Sequence, residues 1–155
     1  MTTAITPDNA ATVAELIRLT DALDRAVDDK DWTAARALFA DRVDADFSAL
    51  SSQPPANVAA DDIVGGWRTN LTAAKTSQHH RTNHQVTLDG SRATVRSVAH
   101  AWNRMEGNGD PLWEVWGVYE HRFRRDGATW LIDGLILQVT HQRGNFWVRD
   151  TVPQV

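Results

Sequence analysis

The apolar residues of this chain change their period partway along it. Val13, Leu16, Ile17, Thr20, Leu23 and Val27 recur at helical spacing, with Arg18, Asp21 and Arg25 on the opposite face. That pattern predicts an amphipathic helix, and Pro7-Asp8-Asn9 supplies the chemistry of a helix start. Asp31 can cap a second, short helix carrying Trp32, Ala35, Leu38 and Phe39. Val43, Ala45 and Phe47 then alternate with Asp44 and Asp46, which is the period of a strand. Ser48 to Ala60, with paired prolines and small polar residues, predicts a loop. A third helix follows from Asp61, burying Ile63, Val64, Trp67 and Leu71, with Gly65-Gly66 as its weak point.

After Lys75 the period of two takes over. Gln78–Leu88, Arg92–Met105, Leu112–Arg125 and Thr129–Gln142 are long candidate strands. Asp89-Gly90 and Asp126-Gly127 mark tight turns between them, and residues 106–111 a looser one. Helices first and antiparallel strands afterward predict an α+β layer, with the helices covering one face of a curved sheet. No repeat, low-complexity segment or linker divides the chain, so one domain over residues 1–155 is expected.

Composition narrows the function classes. A net charge of −4 argues against a nucleic-acid partner, and Arg122, Arg124 and Arg125 are diluted by acidic neighbours. The absence of cysteine removes disulfides, thiolate nucleophiles and thiolate metal ligands. The N-terminal residues lack a signal-peptide pattern and no apolar run reaches bilayer length, so a cytoplasmic protein with no membrane partner is expected. Neither GxGxxG, GxxxxGK[ST] nor GxSxG occurs, and no cofactor is expected. The histidines beyond His79 match no HExxH or facial-triad spacing, although His80 and His84 would share a face of a regular strand; no metal site is expected.

ALDRAVDDKDWTAARALFADRVDADF, SQHHRTNHQVTLDGSRATV and GVYEHRFRRDGATWLIDGL, in this order of elements, resemble the nuclear transport factor 2-like superfamily. Within it the chain is similar to the SnoaL-like branch that includes scytalone dehydratase and bile-acid 7α-dehydratase. The resemblance spans roughly residues 12–145. It implies a cone-shaped (cystatin-like) fold with a deep apolar pocket between helices and sheet, and a homodimer or homotrimer formed through the open sheet. Dehydratases, isomerases and polyketide cyclases occur in this group, beside non-catalytic binding proteins and the small subunits of ring-hydroxylating dioxygenases. The fold alone therefore leaves the activity open.

The resemblance also implies site residues. Asp28, four residues before Trp32, matches the pocket aspartate of the dehydratase-like members, and His79 matches the family histidine in Gln78-His79-x-x-x-Asn83. A carboxylate in an apolar pocket has its pKa raised, which would make Asp28 a proton acceptor and His79 its partner. Tyr119, the only tyrosine, shares a strand face with Trp113, Val115, Gly117 and Phe123, so its hydroxyl would face the pocket and hold an oxyanion. Asn103, in step with Ala99 and Ala101, could orient substrate; Arg81, in step with His79 and Asn83, could meet an anionic group or pair with an acid. Val27, Phe47, Trp67 and Leu135 would complete the wall. Val27 and Phe47 match two water-holding tyrosines of scytalone dehydratase, and neither can hold a water. The expected substrate is a small, mostly apolar, carbonyl-bearing metabolite rather than that of scytalone dehydratase itself.

Overall fold

The computed structural model of the chain describes residues 1–153. Its elements run α1 (Ala10–Asp28), α2 (Trp32–Ala37), β1 (Phe39–Asp46), α3 (Ser48–Ser51), β2 (Ala56–Ala59), α4 (Ala60–Asn70), β3 (Thr76–Asp89), β4 (Arg92–Arg104), β5 (Leu112–Asp126), β6 (Thr129–Gly144) and α5 (Phe146–Asp150). The strands form one six-stranded sheet in the order β2-β1-β6-β5-β4-β3. Only β1 and β6 pair in parallel; the other neighbours are antiparallel. The α+β architecture expected from the change of period is present, with the N-terminal helices over a curved sheet.

The core follows from the helix stripe. Val13, Leu16, Leu19, Leu23 and Val27 of α1 are buried against Val86, Val95, Phe123, Ile132 and Leu135 of the sheet. A smaller cluster of Ala101, Met105, Trp113, Val115 and Val148 lies under α5. Asp31 caps α2 by accepting from the Ala34 N–H at 2.9 Å. Helix α4 continues through Gly65-Gly66, because both are on its exposed side and neither is needed for packing.

Three local expectations change. The segment expected as a loop holds α3 and the short edge strand β2, since β1 offers β2 an antiparallel partner that propensity alone does not reveal. Phe39 begins β1 instead of closing α2. In β3 the register with β4 shifts between Thr82 and Gln85, and Asn83 adopts a φ of +54°. This bulge breaks the strict alternation. His80 and His84 therefore do not share a face: His80 stacks on His100 of β4 on the outer face, while His84 turns toward α1.

The outer face carries a row of rings across four strands. His100 stacks on Trp116 with centroids 4.5 Å apart, Trp116 meets His141 at 5.3 Å, and His80 flanks His100 at 6.0 Å. Glu114 anchors the row, accepting from Arg143 at 2.6 Å and lying 3.0 Å from Nε2 of His100.

Candidate active site

Positions four apart on a helix rise about 6 Å along one face, and positions two apart on a strand rise about 6.7 Å. Asp24 and Asp28 of α1 consequently match Arg81 and His79 of β3, with the chain directions opposed. Nδ1 of His79 is 2.8 Å from Oδ1 of Asp28, and the His79 backbone N–H donates to Oδ2 of the same carboxylate at 2.8 Å. Ser77 donates its hydroxyl to Oδ1 at 2.9 Å, and Lys30 Nζ donates in turn to Ser77 Oγ at 2.9 Å.

Asp28 stands in the last turn of α1, where the helix dipole opposes a negative charge. Burial also works to raise its pKa, yet the bond and charge of the His79 ring, the His79 N–H and the Ser77 hydroxyl together carry it below the usual carboxylate value. The raised pKa expected from the sequence is thus corrected: Asp28 is a fixed anion. As an acceptor it keeps a proton on Nδ1 of His79, which leaves the lone pair of the neutral ring on Nε2. Among the described residues no protein group bonds Nε2.

Arg81 grips Asp24 with two nitrogens, Nη2 to Oδ1 at 2.7 Å and Nε to Oδ2. The pair is deeply buried, with side chains only 4% and 10% exposed. Burial opposes both charges, but each stabilises the other, so Asp24 lies below and Arg81 above its ordinary pKa. Arg81 is therefore committed to an acid of the protein, and the anion-binding alternative raised from the sequence does not describe it. A third matched pair, Asp21 Oδ1 and His84 Nε2 at 3.1 Å, continues the seam beyond the bulge.

Inside this seam lies a cavity of about 60 Å³ with apolar walls that include Val27, Trp67, Leu71 and Leu135. Asp24, His79, Arg81, Tyr119 and His121 supply its polar lining. An open groove of about 670 Å³ runs along the outside of the same seam, lined by Asp21, Asp28, His79 and polar neighbours. The inner cavity is the better candidate, because it combines enclosure and apolar walls with convergent polar groups. Burial pushes the Tyr119 phenol up to about 12, so it stays a donor at neutral pH; its ring lies 4.0 Å below the Arg81 guanidinium.

Of the residues expected at the site, Asp28, His79, Tyr119, Arg81, Val27, Trp67 and Leu135 meet at this cavity or its seam. Phe47 does not line it: β1 ends at Asp46, and Phe47 turns into the start of α3 while packing on the core. Asn103 lies opposite Ser77 and Trp113, at the end of the sheet that holds the smaller apolar cluster, and is not in the lining either. Asp24, Ser77, Lys30 and His121 escaped the sequence reading. Asp21, Asp24 and Asp28 form an i, i+3, i+7 stripe that could have signalled the acidic seam. Among the described residues no group of His, Asp or Glu side chains is placed to hold a metal ion. No helix there is long and apolar enough to cross a membrane.

Residues 8–135 match the SnoaL-like domain model, and the chain belongs to that family. Its fold is the nuclear transport factor 2-like one. The Kfla4162 protein of Kribbella flavida is similar at 27% identity, covering 90% of this chain and 99% of that one with a TM-score of 0.83. A candidate scytalone dehydratase of Novosphingobium aromaticivorans shares 19% identity over 97% of this chain and 93% of that one, with a TM-score of 0.74. A candidate dehydratase of the NTF2-like family from Streptomyces avermitilis shares 18% over 88% and 99%, with a TM-score of 0.70. No curated protein matches the chain.

Proposed function

We propose that the chain is a cofactor-independent lyase or isomerase that moves a proton beside the carbonyl of a small, mostly apolar metabolite. The observation that carries this reading is the Asp28–His79 pair, which fixes one tautomer and leaves Nε2 without a partner among the described residues, on a ring that lines the inner cavity. Nε2 takes the proton from the carbon next to the carbonyl, and the Asp28 carboxylate stabilises the imidazolium that results. The Tyr119 hydroxyl donates to the carbonyl oxygen as it becomes an enolate. In a dehydration the enolate then expels the β-hydroxyl, which takes the proton from Nε2 and leaves as water. In an isomerisation the same proton returns to a different carbon.

Family membership supports this reading, as do similar folds among candidate dehydratases. The cavity volume favours a substrate portion of only a few heavy atoms, since a water molecule alone claims about 30 Å³ of liquid. A polyketide or steroid skeleton would require the walls to open. We also infer that a second copy of the chain covers the outer face, where the row of His100, Trp116 and His141 lies on a sheet surface that no helix among the described residues covers.

The test uses a panel of small β-hydroxy ketones in D₂O, read by mass spectrometry for deuterium at the α-carbon and for loss of water. Wild type should exchange or dehydrate at least one member. Asp28→Asn and His79→Ala should be slower by on the order of 10²–10⁴. Equal rates in all three proteins would remove the dyad.

A further inference from the structure

His121 is wholly buried, and neither ring nitrogen has a hydrogen-bond partner among the described residues. Buried polar groups are almost always satisfied, so two orphaned nitrogens on one ring require a reason. The ring lies on the inner side of β5 and lines the same cavity as His79 and Tyr119. Its aromatic neighbours are Tyr119 and Phe123, with centroids 5.8 and 6.4 Å away, and they offer it faces rather than donors. Arg81 makes no hydrogen bond to it, its guanidinium donating to Asp24 and Ser97.

We propose that His121 is a substrate-anchoring residue, whose imidazole hydrogen-bonds a hydroxyl of an uncharged ligand in the inner cavity. The proposal rests on reading that cavity as the substrate site, and it names the substrate class. A neutral imidazole carries one N–H donor and one lone pair, and a hydroxyl is the smallest group that answers either or both. Burial, with Arg81 close by, keeps the ring neutral. A carboxylate ligand can only accept, and it would meet Asp24, with Arg81 beside it already paired. Both nitrogens, and the rest of the ring, are sealed from water in their present orientation. A ligand therefore reaches them only where the ring turns toward the cavity that it borders.

Ethanol and propane probe this, being matched in size and differing by a hydroxyl in place of a methyl; acetate adds the charge. Binding is measured by titration of ligand and protein NMR signals, and the His121 ring nitrogens are followed by long-range ¹H–¹⁵N spectra. Ethanol should bind wild type at least about tenfold more tightly than propane and move the His121 ring signals, with acetate excluded. In His121→Phe the preference should fall below about twofold. An unchanged preference in the variant, immobile His121 signals on ethanol addition, or no ethanol binding at about 100 millimolar would each overturn the proposal. The ring signals are read on wild type, so the test survives a misfolded variant. Turnover lost in His79→Ala together with a hydroxyl preference independent of His121 would sink the anchor alone. The reverse pattern would sink the proton-transfer reading alone.

Discussion

Arg81 and Asp24 form a two-point ion pair one helical turn from the Asp28–His79 pair, and both partners are almost wholly withdrawn from water. Removing one member of such a pair strands a charge. Arg81→Met should therefore destabilise the fold by about 3–5 kcal/mol, and Asp24→Leu combined with Arg81→Met should recover most of that. Urea midpoints at pH 7 for the single and double variants decide it. A loss below about 1 kcal/mol in Arg81→Met would mean that water reaches Asp24.

The sequence disclosed the periods but not their meeting. The helix stripe from Val13 to Val27 and the strand runs after Lys75 are local patterns, and the observed elements follow them closely. Asp28 and His79 were legible only through the family resemblance, since nothing local distinguishes Asp28 from Asp24, Asp29 or Asp31. What stayed hidden depends on the sheet. The bulge at Asn83 decides which way His84 faces, and the strand β2 exists because β1 has a free edge. The direction of the Asp28 shift was also hidden. It depends on Ser77 and on a backbone N–H from an element 51 residues away.

Gly117 is two residues before Tyr119 at a register shift between β5 and β6. A Cβ there would lie 2.4 Å from the carbonyl oxygen of Gln138 and 3.0 Å from Leu137 Cδ1. The carbonyl belongs to the paired backbone and cannot withdraw as a side chain can. Gly117→Ala should cost about 1–3 kcal/mol and displace Tyr119 from the cavity wall. Urea unfolding gives the first effect, and near-ultraviolet circular dichroism of the folded variant gives the second. Wild-type stability in the variant would show that β6 yields easily.

Trp116 sits mid-row on the outer face, between His100 and His141. If a second copy covers that face, Trp116→Glu would bury a charge against its symmetry mate. Sedimentation equilibrium should then find wild type as a dimer or trimer and the variant as a monomer. Ethanol binding should persist in the variant, because the inner cavity lies on the opposite side of the sheet. A wild type that sediments as a monomer at tens of micromolar (about the range of a weak dimer) would remove the inferred contact.

His121 gives the pH dependence of the fold. Burial, with Arg81 adding to it, takes its pKa from the ordinary 6.5 down to about 3, while Asp24 opposes and His84 assists the shift. Between those values the unfolded chain binds a proton that the folded protein refuses. Stability is complete above pH 6.5 and falls as pH drops toward 3, by at most about 1.4 kcal/mol per pH unit. Asp24 and Asp28, whose folded pKa values are lowered, lose stability in the same direction, but only below their ordinary value of 3.8. The range from pH 6.5 to 4.5 therefore reports on His121 through the difference between two proteins. His121→Phe removes the proton and both unpartnered nitrogens with a slightly larger ring, so at pH 7 it should lie within about 1 kcal/mol of wild type. Wild-type urea midpoints should fall from pH 7 to pH 4.5 more steeply than those of His121→Phe. Parallel slopes would mean that the folded protein already gives this ring a partner for its proton, and the orphaned imidazole would no longer need a ligand.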